Sequence, residues 1–146
     1  MIARPHTSTR TDPSLVYVIL LAIGSSAEPL YRVAMTEFDR EPLDQISTVV
    51  SAAELVEAAR LAPSGMNRQP WFFTGTHSII HAHCTKSNPL AARFIGKMDR
   101  ISVGIALCHI WLAALNQGKH IEVICDPDAQ AHPPTKYYYL LTLKIQ

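Results

Sequence analysis

The sequence has little charge of either sign and no surplus of one. Thirteen Lys and Arg stand against twelve Asp and Glu, a formal net charge of +1 over 146 residues. Without a basic excess or stripe, a nucleic-acid partner is not expected. Without an acidic block, a solvating acidic tail is excluded. Charged residues make up only 17% of the chain, below the ~25% typical of soluble domains, so apolar surface is expected to need cover from a partner or from a missing part of the chain itself. Cysteine is sparse: Cys84, Cys108 and Cys125 are odd in number, widely spaced and free of any C-x-x-C. That excludes a disulfide framework and suits reduced thiols in a cytoplasmic protein. No unbroken apolar run approaches the ~20 residues of a membrane helix, so no membrane partner is expected. Internal repeats and low-complexity runs are absent. What is present is the length of one domain, enough to bury roughly 68–70% of the unfolded surface.

The N-terminal residues 1–13, rich in Thr, Ser, Arg and Pro, are expected to form a disordered leader. Residues 14–146 then make a single, partial domain. Leu15 to Gly24 is an apolar run with β-branched Val16, Val18, Ile19 and Ile23, which suits a buried strand. The same run behind Arg4 and Arg10 and before Ser25-Ser26-Ala27 imitates a signal peptide, so export of a chain cleaved near residue 27 is the alternative to a cytoplasmic location.

Residues 28–46 read as a connecting segment. Ser51-Ala-Ala-Glu54 has the form of a capping box, in which each side chain would satisfy the other residue's backbone N–H. Leu55, Val56, Ala58, Ala59, Leu61 and Ala62 follow at helical spacing, and Pro63 ends the helix. Trp71–Thr74 and Ser78–Cys84 predict a hairpin turning at Gly75-Thr76. Residues 85–98 read as irregular. A second helix is expected over about 100–117, apolar on nearly every face and therefore buried on all sides, as a central helix or one at an oligomer interface, with Gly118 as its C′ residue. His120–Cys125 predicts a strand, 126–134 a proline-containing loop, and Tyr137–Ile145 a closing strand in which Tyr139, Leu141, Leu143 and Ile145 share one face. The order of elements defines an α+β fold.

The informative motif runs Ala58-Ala-Arg-Leu-Ala-Pro-Ser-Gly-Met-Asn-Arg-Gln-Pro-Trp71. A helix ends, a polar turn displays Ser64, Asn67 and Gln69, and a strand begins at Trp71. Amide side chains offer donors and acceptors together and could read the edge of a planar heterocycle. An ordinary helix-to-strand loop is the plainer explanation.

This stretch resembles the Ala-Pro-Ser-x-x-Asn-x-Gln-Pro-Trp signature of the FMN-dependent nitroreductase family, and most closely a branch with two half-domains fused in one chain. Glu41-Pro-Leu-Asp-Gln-Ile46 is similar to the segment opening the second half of that branch. Gly104-Ile-Ala-Leu-Cys-His109 is similar to its buried helix, and Val18 to Glu28 to the last strand of its first half. The resemblance implies a nitroreductase-like fold with a mixed β-sheet around a central buried helix, in an apparently truncated chain. It implies Pro63, Ser64, Asn67 and Gln69 as contacts to the FMN ring. It further implies NAD(P)H as hydride donor and a nitroaromatic or quinone as small-molecule electron acceptor. No catalytic side chain is required, since the flavin does the redox chemistry. The family's adjacent arginine pair, which grips the FMN phosphate, has no counterpart here, and Ser102 stands where relatives carry an acid. The expectation is therefore a flavoenzyme that is impaired or partner-dependent, assembling as a homo-oligomer or with a chain supplying the first half. The alternative is a non-catalytic remnant or assembly module of the same fold without flavin.

Other clusters weigh less. His77, His81, His83 and Cys84 are dense enough to suggest a metal site, but polar decoration of a strand explains them and no metal is expected. Cys108 and His109 point about 100° apart on a helix and do not form a nucleophile–base pair. Tyr137-Tyr138-Tyr139 would split between two sheet faces rather than form a stacking platform.

Overall fold

The computed structural model describes residues 24, 25, 27 and 34–146. The strand or signal peptide expected at Leu15–Gly24 and the leader at 1–13 lie outside the described residues, apart from Gly24. The chain divides into two units, Met1–Arg32 and Val33–Gln146. The second unit holds all the elements below.

A 3-10 turn at Met35–Glu37 and one turn of helix, α1 (Leu43–Ile46), occupy the segment read as a connector. Helix α2 spans Ala53–Arg60. The expected capping box does not form. The N-cap is Ala52, with no side-chain cap, and Glu54 Oε2 instead accepts from Gln117 Nε2 at 3.0 Å. A tertiary partner has taken the carboxylate that the local motif would use. Arg60 and Glu57 form an ion pair at 2.6 Å on the last turn.

Strands β1 (Trp71–Gly75) and β2 (Ile79–Thr85) form the expected hairpin. Gly75 makes its turn: at φ 114° it sits where a Cβ would overlap the Ile79 carbonyl oxygen, which accepts from Thr76 N–H at 2.7 Å. Helix α3 runs Pro89–Asn116, beginning eleven residues before the expected start. Pro89 is tolerated because a first helical residue needs no N–H, and Gly96 costs only ~1 kcal/mol, less than packing supplies over 28 residues. Gly118 closes the helix at φ 70°. Strand β3 (Ile121–Ile124) follows, then α4 (Pro127–Ala131) inside the expected loop. Asp126 caps α4, its Oδ1 accepting from the N–H groups of Asp128 and Ala129 at 3.0 and 3.1 Å. Strand β4 (Tyr137–Ile145) ends the fold.

The strands order as β1-β2-β4-β3, every described pairing antiparallel. Among the described residues, the parallel component of the expected mixed sheet is an isolated bridge, Ser47 to Phe73. The architecture is α+β. One sheet face, with Trp71, Phe73, Ile80, Ala82, Leu143 and Ile145, packs on Leu55, Val56 and Ala59 of α2 and on Val103, Ala106, Ile110 and Ala114 of α3. The register shifts between Ala82 and His83. This bulge leaves Leu140 as the extra residue of β4 and turns Tyr139 away from Leu141, correcting the simple alternation expected there. Tyr138 accordingly stays with Cys84 on the core side, while Tyr137 stacks on Phe72 at 4.7 Å on the other.

Helix α3 buries only one side. Leu90, Phe94, Ile101, Trp111, Leu112 and Leu115 are exposed, so the helix expected to be buried all round has a bare apolar face. By length and composition Ala92–Asn116 could cross a membrane, a test that the core helix of a folded domain also passes.

Trp71 is 1% exposed, and its indole Nε1 finds no acceptor among the described residues. Replacing it by Phe removes a buried orphan donor, a gain of ~1–3 kcal/mol that offsets a similar loss of ring volume. Trp71→Phe should therefore shift the urea unfolding free energy by no more than about 1 kcal/mol. Trp71→Ala should cost about 3–5 kcal/mol in the same measurement.

Candidate functional site: the turn between α2 and β1

The helix-to-strand turn is built from backbone that its side chains do not favour. Ser64 is extended, and Met66, Asn67 and Gln69 all have positive φ, at 54°, 52° and 46°. Asn tolerates this region, but Met and Gln each give up ~1–2 kcal/mol there. These are the only non-glycine residues with positive φ among those described. Strain gathered into four residues persists only where surrounding contacts over-determine it, and such places are enriched in ligand sites.

Those contacts come from three directions. From within the turn, Ser64 Oγ accepts from Gln69 N–H at 2.9 Å. From α3, Ser102 Oγ accepts from Gly65 N–H at 3.1 Å and donates to the Met98 carbonyl at 2.9 Å. Met98 itself fills the space a Cβ on Gly65 would need. Arg68 forms a two-pronged pair with the buried Asp99, at 3.1 and 3.3 Å. From the segment before α1, Asn67 Nδ2 donates to the Asp39 carbonyl at 2.8 Å, Asn67 Oδ1 accepts from Arg40 Nη1 at 2.7 Å, and Gln69 Oε1 accepts from Glu41 N–H at 2.9 Å.

The four residues singled out in the sequence therefore do come together on one turn. Pro63 and Asn67 are exposed, Ser64 is half-buried and Gln69 is buried. Their chemistry differs from the simple expectation. The amides of Asn67 and Gln69 brace the turn against residues 39–41 instead of standing free to read a heterocycle. What the turn offers outward is its shape, its backbone and the exposed Met66.

Sequence reasoning missed the braces Asp39, Arg40, Arg68 and Asp99. A signal existed for Asp99: an acid three residues before Ser102 on an apolar helix shares its face and needs a partner when buried. Ser102, noted as a departure from relatives, still ties α3 to the turn through its hydroxyl.

The other clusters resolve differently. No group of three or more His, Cys, Asp or Glu among the described residues is placed to hold a metal. His81 Nδ1 bonds Thr142 Oγ1 at 2.8 Å, and Thr142 Oγ1 bonds the Tyr139 hydroxyl at 2.8 Å. His83 Nε2 bonds Thr74 Oγ1 at 2.9 Å, while its Nδ1 is buried without a partner. An unpaired lone pair costs less than an unpaired N–H, which assigns the proton to Nε2. Burial, and then the neighbouring His81, push the His83 imidazole down to about 4. Burial pushes the Cys84 thiol up, so it is a packing residue and not a nucleophile. Cys108 is exposed on α3. Two cavities of about 250 and 260 Å³ lie around residues 43–55, Gln117 and Lys119, and none of the four turn residues lines them.

The α+β arrangement that carries this turn is a nitroreductase-like fold, shared with solved structures of that kind. The sequence profile of a family described as "Putative TM nitroreductase" matches residues 2–114, and the chain belongs to that family. No curated protein matches it. Among solved structures, a nitroreductase family protein from Clostridium novyi NT is 18% identical, with a TM-score of 0.51 over 64% of this chain and 71% of that one. A "putative nitroreductase in complex with FMN" from Desulfovibrio desulfuricans is 19% identical, with a TM-score of 0.50 over 72% and 85%. Another described in the same words, from Exiguobacterium sibiricum, is 15% identical, with a TM-score of 0.50 over 64% and 74%.

Proposed function

We propose that the chain serves a flavin (FMN)-dependent oxidoreductase of nitroreductase type, in which FMN relays hydride from NAD(P)H to a nitroaromatic or quinone acceptor. The observation that carries this reading is the strained turn at 64–69, lying on the family signature and braced from three sides. Family membership and the FMN complexes among proteins of the same fold support it.

The described residues fit one end of the cofactor better than the other. Pro63, Ser64 and the backbone around Met66 and Asn67 would hold the edge of the flavin ring, with Gln69 and Ser102 fixing their geometry. A rigid contour of this kind orients a planar ring and excludes water from one side of it, and its strain is paid by the braces rather than at binding. The adjacent arginine pair that would grip the phosphate end has no counterpart among the described residues, and the arginines around the turn are engaged. Arg68 is held by Asp99, Arg60 by Glu57, and Arg40 by Asn67 and the Leu61 carbonyl. In this reading the flavin is shared with a partner subunit that completes the phosphate site, in the cytoplasm. The same observation favours one second reading, a non-catalytic assembly module without flavin.

Asn67→Gly separates the two. It keeps the left-handed backbone but deletes the bonds to Asp39 and Arg40. If the turn holds the flavin, FMN affinity measured by fluorescence quenching falls about tenfold while the fold survives. Wild-type protein that does not quench FMN, or a variant that binds as wild type does, would overturn the flavin reading.

A further inference from the structure

The Glu54 carboxylate, drawn away from the start of α2 by Gln117, lines a groove that the flavin turn does not use. The cavities of about 250 and 260 Å³ share Val50 and Ala53 in their walls, which makes them two chambers of one groove. One chamber is mainly apolar, walled by Leu43, Val49 and Val50, with Asp44, Ser47 and Thr48 as its polar residues. Val50 stands 88% exposed where the chambers meet, an apolar side chain that the fold leaves uncovered. The other chamber holds an acid and a base. Gln117 bridges them: its Nε2 donates to Glu54 Oε2 at 3.0 Å, and its Oε1 accepts from Lys119 Nζ at 2.7 Å.

We infer that this groove binds a small zwitterion with an aliphatic tail, the class of leucine and its isomers. The ammonium sits on Glu54, the carboxylate on Lys119 and the tail in the apolar chamber. The Gln117 amide marks the place. Its nitrogen and oxygen are about 2.3 Å apart, and the ammonium nitrogen and nearer carboxylate oxygen of an α-amino acid are about 2.7 Å apart. A gap bridged by the first pair is spanned by the second with the same polarity, a donor towards Glu54 and an acceptor towards Lys119. Gln117 is exposed and lies just past Asn116, the last residue of α3, so its side chain is free to swing into solvent.

The exchange favours the ligand. A neutral amide makes two bonds to charged groups, whereas a zwitterion makes both of them between opposite charges. Solvent screens these pairs at a half-open site, and burial of the tail against Val50 adds the rest of the affinity. The charges also select. A fatty acid brings its carboxylate near Glu54 with nothing to offset the repulsion, and an alkylamine meets Lys119 in the same way. None of the residues at 63–69 lines either chamber, so the inference stands apart from the flavin reading.

Amide chemical shifts of the full chain, titrated with L-leucine, test it. They should saturate with a dissociation constant of about 1 mM and centre on residues 43–55 and 117–119. Isovalerate lacks the ammonium and isopentylamine lacks the carboxylate, and each should bind about tenfold more weakly. Glu54→Gln and Lys119→Gln should each weaken leucine about tenfold. Gln117→Ala empties the gap and should tighten leucine about threefold, a gain that a purely structural bridge would not give. Spectra unchanged away from the groove show that these variants fold. No saturable shift at about 20 mM leucine, isovalerate binding as tightly as leucine, or loss of binding in Gln117→Ala would each overturn the proposal. Shifts centred on residues 64–69 would overturn it too, by moving the ligand to the turn.

Discussion

Gly75→Ala is expected to cost about 3 kcal/mol and lower the melting temperature by about 10 °C. Two penalties add. The residue's φ of 114° lies where side chains are strained, at ~1–3 kcal/mol. The new Cβ would also overlap the Ile79 carbonyl oxygen, a backbone atom fixed by its bond from Thr76 N–H. A flexible side chain could yield, but this carbonyl cannot without opening the β1–β2 hairpin. Trp71 and Phe73 stand on that hairpin, so the loss should appear as a cooperative shift of the whole transition in calorimetry. An unchanged melting temperature would mean that the turn is not formed as described.

The second large effect is a loss of stability in acid. His83 is 1% exposed, with Nε2 bound to Thr74 and Nδ1 unpaired. Its folded-state value of about 4 lies below the 6.5 of the unfolded chain. Between those values the unfolded state binds the proton and the folded state refuses it, so stability falls as pH drops from 6.5 towards 4. Above 6.5 the residue contributes no pH dependence. The full drop is about 3 kcal/mol at ~1.36 kcal/mol per unit. Urea midpoints measured at pH 7.5 and 4.5 should therefore diverge in the wild type and converge in His83→Gln. Equal pH dependence in both would show that His83 is protonated without penalty in the fold.

Much of this was legible from the residues. Period and punctuation found α2, the β1–β2 hairpin, β3 and β4, because each is bounded by a strong local stop such as Pro63, Gly75 or Gly118. The start of α3 was not legible, since Pro89 and Gly96 read as breakers until tertiary packing outweighs them. Helix α4 was hidden by Pro127 and by Pro133 and Pro134 just after it, although Asp126-Pro127 is a sound N-cap pair. The Ser51–Glu54 box failed because Gln117, 63 residues away from Glu54, captures the carboxylate. The bulge at Leu140 cannot be read from Tyr137–Leu141, five consecutive apolar residues that fit either face. At the candidate site, the sequence located the turn but assigned its amides to a ligand. Their protein partners, Asp39 to Glu41, lie some 28 residues upstream and leave no local trace.

The central claim is that the turn at 64–69 holds a flavin. Gel filtration of the purified full chain after incubation with FMN, read for protein and for flavin absorbance, tests it most directly. The account predicts a coloured protein peak with about one FMN per turn, weakened when the braces go in Asn67→Gly. A colourless protein peak, with all the FMN eluting as free small molecule, would contradict it and leave the assembly module as the function of this fold.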